Sequence, residues 1–410
     1  MRRLLLAARF ALPLLLAGPP CAVAAPPPVG TWYASLVPVE GREVSFEVRL
    51  DRRNEALSAV LVNGSIESPF TAATWADGIL TLEMAHLDGR LTARLDGDRL
   101  AGSYVRIAAA GPIEIPFVAS RLPPAVPAVR KGSDPIDGEW GILLGAGEKK
   151  ERLLGIFREA KGRVTGSALS ASGDYGPLHG TWDGEALVLT VFDGLFVYRF
   201  EARRQADGSL AGEFRARSSP AVPWTAVRLG ERAAASFLPD GFSAVRAKDP
   251  SKPFQFSFPD ADGRMVSSED ARFAGKPMIV TFSGTWCPNC NDEAPALRDL
   301  HAKYGPRGLE VVALHFEYTD DVVRSRRLLK SFAARYGVTY PLLLAGTTRE
   351  AKTSPVSLQL EGSRPYPTTL FLDRSHRVVK THVGFDGPAT GERFTKLKKE
   401  LEETVEALLR

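Results

Sequence analysis

Phe282-Ser283-Gly284-Thr285-Trp286-Cys287-Pro288-Asn289-Cys290 is the stretch whose reading decides the fold. It follows an apolar run, Met278 to Phe282, with the length and character of a buried strand. It precedes Asp292 to Leu300, where Leu297 and Leu300 recur at helical spacing. The two cysteines therefore stand where a strand turns into a helix. The first thiol of such a pair lies at the helix N-terminus, where free backbone N–H groups and the helix dipole stabilise a thiolate. A thiolate attacks disulfides; a thiol does not. The two-residue spacer lets the second sulfur reach the first.

Two other uses of a Cys-x-x-Cys pair are weighed against this one. Half of a zinc site would need two further ligands, and Cys21 is the one other cysteine. His301 and His315 are possible ligands, but no His-x₃₋₅-His pair follows. A structural disulfide between residues three apart closes almost no loop and adds little stability.

The chain has 410 residues, room for two to four domains. Its 52 basic and 48 acidic residues leave a net charge of +4, too balanced to point to nucleic acid. Residues 1–25 have the anatomy of a cleaved secretory signal: Arg2 and Arg3, a mostly apolar stretch from Leu4 to Ala17 interrupted by Arg9 and Pro13, then Ala22-Val23-Ala24. Cys21 raises lipid anchoring as an alternative, but Pro20 stands before it, where such signals carry a small residue. The reading is a chain exported to the periplasm, whose mature form keeps only Cys287 and Cys290. A protein in an oxidising compartment with no other cysteine has no structural disulfide to scramble, which fits a dithiol kept for chemistry.

From residue 29 to 122 the sequence reads as about eight short strands, with Asn63-Gly64, Asp77-Gly78, Asp88-Gly89 and Asp96-Gly97 as hairpin turns. A Pro-rich linker begins at Pro123 and runs to Asp134. The pattern then recurs over 134–229. Gly30-Thr31-Trp32 matches Gly138-Glu139-Trp140, Trp75 matches Trp182, and Leu100-Ala101-Gly102 matches Leu210-Ala211-Gly212, at separations of 108, 107 and 110 residues. Two tandem copies of one antiparallel β-meander are expected, each suited to a small barrel. Gly-x-Trp on the first strand of such a meander resembles the lipocalin and avidin-like barrels. Trp32 and Trp140 are read as plugs of the barrel ends, and no ligand or catalytic function is assigned to either repeat.

Residues 236–410 form the third unit. From Phe254 strands and helices alternate, as in an α/β fold. Strands are expected over Phe254–Phe258, Met278–Phe282, Leu309–Phe316, Tyr340–Leu344, Thr368–Leu372 and Val378–Val383. Helices are expected over Asn289–Tyr304, Asp320–Tyr336 and Gly391–Arg410. The second helix carries a basic face of Arg324, Arg326, Arg327 and Lys330, read as solvated.

This third unit resembles the thioredoxin superfamily, and within it the exported TlpA-like thiol–disulfide oxidoreductases. The resemblance rests on Trp286-Cys287-Pro288-Asn289-Cys290, Glu293-Ala294-Pro295, Tyr366 to Asp373, and Val383-Gly384-Phe385. It implies that Cys287 is the nucleophile and Cys290 the resolving thiol. It implies a cis peptide at Pro367, facing the dithiol and presenting Tyr366 for strand-like pairing with a substrate chain. Trp286, Pro288 and Thr368 complete the expected substrate contacts. Glu293, one helical turn beyond Cys290, would be the acid/base that serves the resolving thiol. The implied partners are protein thiols and disulfides and a membrane electron donor, with no cofactor or metal beyond the redox-active pair.

Three features depart from the family pattern: Asn289 between the cysteines, the long connection from Gly346 to Arg364, and the double β-repeat. Reduction of substrate disulfides is the leading function. A peroxiredoxin-like peroxidase, a copper-binding carrier using His315, and an adaptor built on a thioredoxin scaffold stand as alternatives.

Overall fold

The computed structural model describes residues 26–410 apart from 55, 109, 110 and 149, so the expected signal segment and Cys21 lie outside the described residues. The first repeat is β1 (Gly30–Leu36), β2 (Val44–Arg53), β3 (Ala56–Asn63), β4 (Ile66–Pro69), β5 (Ala72–Ala76), β6 (Ile79–Met84), β7 (Gly89–Asp96), β8 (Arg99–Ala108) and β9 (Gly111–Ser120). The second is β10 (Gly138–Leu144), β11 (Glu151–Ala160), β12 (Arg163–Ser170), β13 (Gly173–Asp174), β14 (Leu178–Trp182), β15 (Ala186–Phe192), β16 (Val197–Arg204), β17 (Leu210–Ala216) and β18 (Val222–Arg228). Each copy thus has nine strands where eight were expected. The additional one is the short fourth strand, too brief to show a period of two.

Alternate residues of each strand point inward, as in β6, where Leu80, Leu82 and Met84 are buried. The second copy closes. β11 pairs with β10 on one side and β12 on the other, and β12 pairs with β14, so eight strands form a ring around Trp140, Trp182 and Trp224. The first copy does not close: its sheet runs from β4 to β5 with no ladder joining those ends. The expectation of a barrel is corrected here to an open, half-barrel sheet. Its core is completed by the second copy. Phe192, Leu195 and Val197 pack among Trp32, Phe46 and Tyr104. Tyr104 Oη donates to the Gly194 carbonyl at 2.6 Å, and Asn63 Nδ2 donates to the Phe192 carbonyl at 2.7 Å.

α1 (Glu231–Ala235) caps the outside of the second barrel, where Ala234 covers Leu154, Ile156 and Leu169. The chain then enters the third unit. β19 (Val245–Ala247) pairs with β25 (Leu360–Gly362), and β20 (Ser257–Pro259) forms a hairpin with β21 (Met265–Ser267). The central sheet comprises β22 (Met278–Ser283), β23 (Glu310–Glu317), β24 (Leu342–Thr347), β26 (Thr368–Leu372) and β27 (Val378–Val383), in the order β24-β23-β22-β26-β27. β22, β23 and β24 are parallel; β26 and β27 are the antiparallel closing hairpin. The strand expected at Phe254–Phe258 falls at Ser257–Pro259, because Phe254 and Phe256 are buried side chains of a segment laid across the sheet.

α2 (Pro288–Tyr304), α3 (Val322–Tyr336) and α5 (Glu392–Leu409) cover one face of this sheet, through Leu297, Leu329, Phe332, Leu401 and Val405. The other face packs on Phe254, Phe273 and the long connection, which holds α4 (Pro355–Leu358) and is tied down by β25. This is a thioredoxin fold. The basic face of α3 is solvated only in part: Arg327 and Lys330 stay exposed, while Arg324 is largely covered. Arg324 Nε donates to Asp88 of the first repeat at 2.6 Å, Arg327 pairs with the same carboxylate, and Lys330 pairs with Asp262. Packing against the repeat brings Asp88 to this face, a partner that helical spacing alone cannot supply.

Candidate active site

β22 ends and α2 begins within five residues, and the turn between them holds the dithiol. Cys287 is the N-cap of α2, with Pro288 at its first turn, where the missing N–H costs nothing. The Cys290 N–H donates to Cys287 Sγ at 3.2 Å. This is the helix-start environment in which a thiolate is favoured. Cys287 and Cys290 are joined as a disulfide. The Tyr366–Pro367 peptide is cis, and the Tyr366 carbonyl oxygen lies 3.4 Å from Cys287 Sγ. Trp286 stacks on Tyr318 at 4.2 Å, meets Tyr366 edge-on at 5.2 Å, and donates from Nε1 to the Phe316 carbonyl at 2.7 Å. Thr368 is buried, and its Oγ1 donates to the Pro365 carbonyl at 2.6 Å. Its side chain braces the proline turn rather than facing the cavity.

Glu293 lies under the site, 2 % exposed. Its carboxyl group accepts from Thr281 Oγ1 at 2.8 Å and from Thr369 Oγ1 at 2.5 Å. Burial outweighs both bonds and pushes its pKa up to about 7. A carboxyl group titrating near neutrality suits proton transfer at physiological pH.

Several residues of the site carry no sequence motif. Glu317 is buried and accepts from the Thr285 backbone N–H at 2.9 Å and from Thr285 Oγ1 at 2.8 Å, so it pins the loop before Cys287. Asn291 Nδ2 donates to the Cys287 carbonyl at 2.7 Å, while its Oδ1 accepts from Tyr336 Oη at 2.7 Å. His315 is wholly buried beside Glu317, edge-on to Phe332 at 5.3 Å. Among the described residues no three His, Cys, Asp or Glu side chains are grouped as metal ligands.

The second repeat also reaches the site. A Cβ at Gly173 would fall 2.0 Å from Asn289 Nδ2, and a Cβ at Gly384 would fall within 3.0 Å of the Ser172 and Gly173 backbone. The turn between β12 and β13 is therefore wedged between the Cys-x-x-Cys helix and the residues that follow β27. Asp174 Oδ2 accepts from the Gly387 N–H at 2.5 Å. Burial pushes the Asp174 pKa up to about 7. Burial, then the nearby Asp174 charge, also raises the pKa of Asp292 on α2 well above the ordinary carboxylate range. With this turn in place Cys287 is 3 % and Cys290 1 % exposed. The two cysteines thus differ little in exposure. A cavity of about 380 Å³ remains beside the dithiol, lined by Cys287, Trp286 and Tyr366 on one side and by Tyr175, Phe196 and Tyr198 of the second repeat on the other. A signal for this was present: residues 175–200 of the second copy are rich in aromatics that the first copy lacks.

A model of the AhpC/TSA family matches residues 250–381. The thiol-disulfide oxidoreductase ResA of Bacillus thuringiensis (strain Al Hakam) is 30% identical over 129 residues, which are 32% of this chain and 66% of that protein. The thioredoxin-like protein YneN of Bacillus subtilis (strain 168) is 30% identical over 151 residues, 37% of this chain and 75% of that protein. The chain belongs to the TlpA-like thioredoxin superfamily. Its match to the ResA protein spans just under two thirds of that relative's length. Among solved structures, a thioredoxin-family thiol:disulfide interchange protein from Chlorobium tepidum TLS is 25% identical, covering 40% of this chain and 98% of its own with a TM-score of 0.31. The thioredoxin-like match begins near residue 250, so both β-repeats precede the region aligned with the family model.

Proposed function

We propose that this protein is an exported thiol–disulfide oxidoreductase that reduces disulfides of protein substrates. The observation that carries the reading is a Cys287–Cys290 pair at the start of a helix, beside the Tyr366–Pro367 turn and above a buried carboxyl group. In the dithiol form, Cys287 Sγ as thiolate attacks one sulfur of the substrate disulfide. The substrate S–S bond breaks, a mixed disulfide forms, and the other substrate sulfur leaves as a thiolate that takes a proton. Cys290, deprotonated with Glu293 as base, then attacks Cys287 Sγ. The mixed disulfide breaks, the Cys287–Cys290 bond forms, and the second substrate thiol is released. Two electrons pass to the substrate. A dithiol donor, proposed to be held at the membrane, returns the pair to its reduced form. Trp286, Pro288 and Tyr366 would contact the substrate chain. Export to the periplasm rests on the leader-like residues 1–25 and the cysteine-poor remainder.

A peroxidase reading gains no support from the site. That chemistry uses a Thr or Ser three residues before the reactive cysteine, and Gly284 stands there.

Trapping tests the proposal. Cys290→Ser should accumulate mixed disulfides with exported proteins and Cys287→Ser should not, because release needs the second thiol. Equal trapping by the two variants would overturn the two-step exchange. The reduction potential of the pair, measured against glutathione or dithiothreitol buffers, decides whether electrons flow outward as proposed.

A further inference from the structure

The cavity beside the dithiol has two walls of different origin. One is the expected thioredoxin-like wall of Trp286 and Tyr366. The other belongs to the second β-repeat. Phe196 stacks on Tyr198 at 4.4 Å, Tyr175 lies 5.6 Å from Tyr198, and Tyr175 Oη donates to Glu151 Oε2 at 3.0 Å. Behind them Tyr198 meets Phe214 edge-on at 5.1 Å, and Phe214 packs on Phe200 at 4.5 Å, so the wall is continuous with the barrel core. A surface anchored in this way is pre-organised rather than adaptable.

We infer that the second repeat supplies the specificity half of the active site: it takes substrate disulfides on extended, unfolded chain segments, and binds an aromatic or large aliphatic residue next to the reacting cysteine against Tyr175, Phe196 and Tyr198. The inference rests on the exchange reaction proposed above and adds its substrate class. Three observations carry it. The cavity, about 380 Å³, is at the small end of ligand sites and holds a few side chains, not the surface of a domain. Cys287 lines it with only 3 % of the residue exposed, so a cystine fixed in a folded protein cannot reach the sulfur without distortion. The wall is aromatic, and rings of this kind favour flat or aliphatic side chains over glycine or charged ones. Burying one such side chain in the cavity should raise the rate of attack about tenfold.

The test uses the full chain, reduced with dithiothreitol and freed of it. Two linear peptides each carry one cysteine as a mixed disulfide with thionitrobenzoate, with Phe or Gly beside the cysteine. Attack by Cys287 on the peptide sulfur releases the chromophore, and Cys290 then frees the peptide thiol. The Phe peptide should react about tenfold faster than the Gly peptide. Phe196→Ala and Tyr198→Ala should shrink that ratio to about twofold or less, while Tyr198→Phe, which keeps the ring, should preserve it. Equal rates for the two peptides in the unmodified protein would overturn the inference while leaving the exchange reaction standing. An undiminished ratio in both alanine variants would overturn it too. If neither peptide releases chromophore faster than with Cys287→Ser, it is the exchange reaction that fails.

Discussion

The two β-repeats share a strand plan and differ in how they are finished. Both carry a glycine where β8 or β17 crosses its neighbour: a Cβ at Gly102 or Gly212 would fall 1.9 or 1.8 Å from a backbone oxygen of the adjacent strand. The second copy has two more such contacts. A Cβ at Gly166 or Gly180 would fall 1.9 Å from the carbonyl oxygen of Ile156 or Val188. These glycines lie on β12 and β14, the pair that completes the ring. At the matching positions the first copy has Ala59 and Ala73. There the N–H of Phe70, in the turn between β4 and β5, donates to the Ala59 carbonyl of β3 at 2.9 Å. Each close approach is to the outer neighbour, β11 or β15, so these glycines let β12 and β14 sit tightly in ladders that the first copy makes with alanine. The closed copy is then a rigid body able to fill its neighbour's core and to wall the dithiol. The open copy receives Phe192 and holds α3 through Asp88.

The comparison can be broken at its strongest points first. Phe192→Ala should cost about 3–5 kcal/mol, because a large ring leaves two cores' shared boundary. Denaturant unfolding followed by hydrogen exchange should show β1–β9 losing protection before β10–β18. Loss confined to the second copy would mean the first has a sufficient core of its own. The double change Gly166→Ala with Gly180→Ala, which gives the second copy the residues of the first, should cost about 3 kcal/mol and loosen the β11–β12 and β14–β15 ladders. Retained amide protection across both ladders would show that the close approach of these glycines is not needed.

Glu293 supplies an effect of similar size in the catalytic domain, outside either repeat. Its folded pKa, about 7, is above the ordinary 4.5. Between these values the folded protein keeps a proton that the unfolded chain has released, so stability falls as pH rises from about 4.5 to 7. Glu293→Gln should remove that slope and gain on the order of 3 kcal/mol at pH 8. It should also leave the first attack unchanged while slowing resolution of the mixed disulfide. Stopped-flow rates against pH check this; an unchanged resolution step would leave Glu293 a structural group.

Two carboxylates through which the repeats touch the catalytic domain should respond with opposite signs. Asp174 of the second copy has its pKa raised to about 7 by burial, above the ordinary 3.8, so its charge costs stability that is lost as pH climbs through that window. Asp174→Asn should therefore be stabilising, and more so at pH 8 than at pH 5. Asp88 of the first copy pairs with Arg324 and Arg327. Asp88→Asn should cost about 1 kcal/mol at neutral pH, less at high salt. Thermal melts of both variants at pH 5 and 8 would show whether the signs differ. Matching signs would mean the two contacts are not distinct in kind.

Much of this was legible along the chain, because it depends on local pattern. The redox pair at a strand-to-helix turn needs only Met278–Phe282, the cysteines, and Leu297 and Leu300 at helical spacing. The closing hairpin, Thr368–Leu372 and Val378–Val383, was read residue for residue, since its apolar runs are bounded by turn residues. The tandem repeat was visible in its glycines and tryptophans. What tertiary structure alone decided is long-range. Glu317 becomes part of the site because β23 lies beside β22, which brings residue 317 to residue 285. Asp88 and Arg324 meet across 236 positions of chain, and Asp174 reaches Gly387 across 213. Contacts of this kind have no period or spacing to betray them. They arise from the surplus of burying apolar surface over ordering the chain, a balance struck by the whole fold and not by any window of sequence. Whether a β-meander closes, and what it then faces, belongs to that balance.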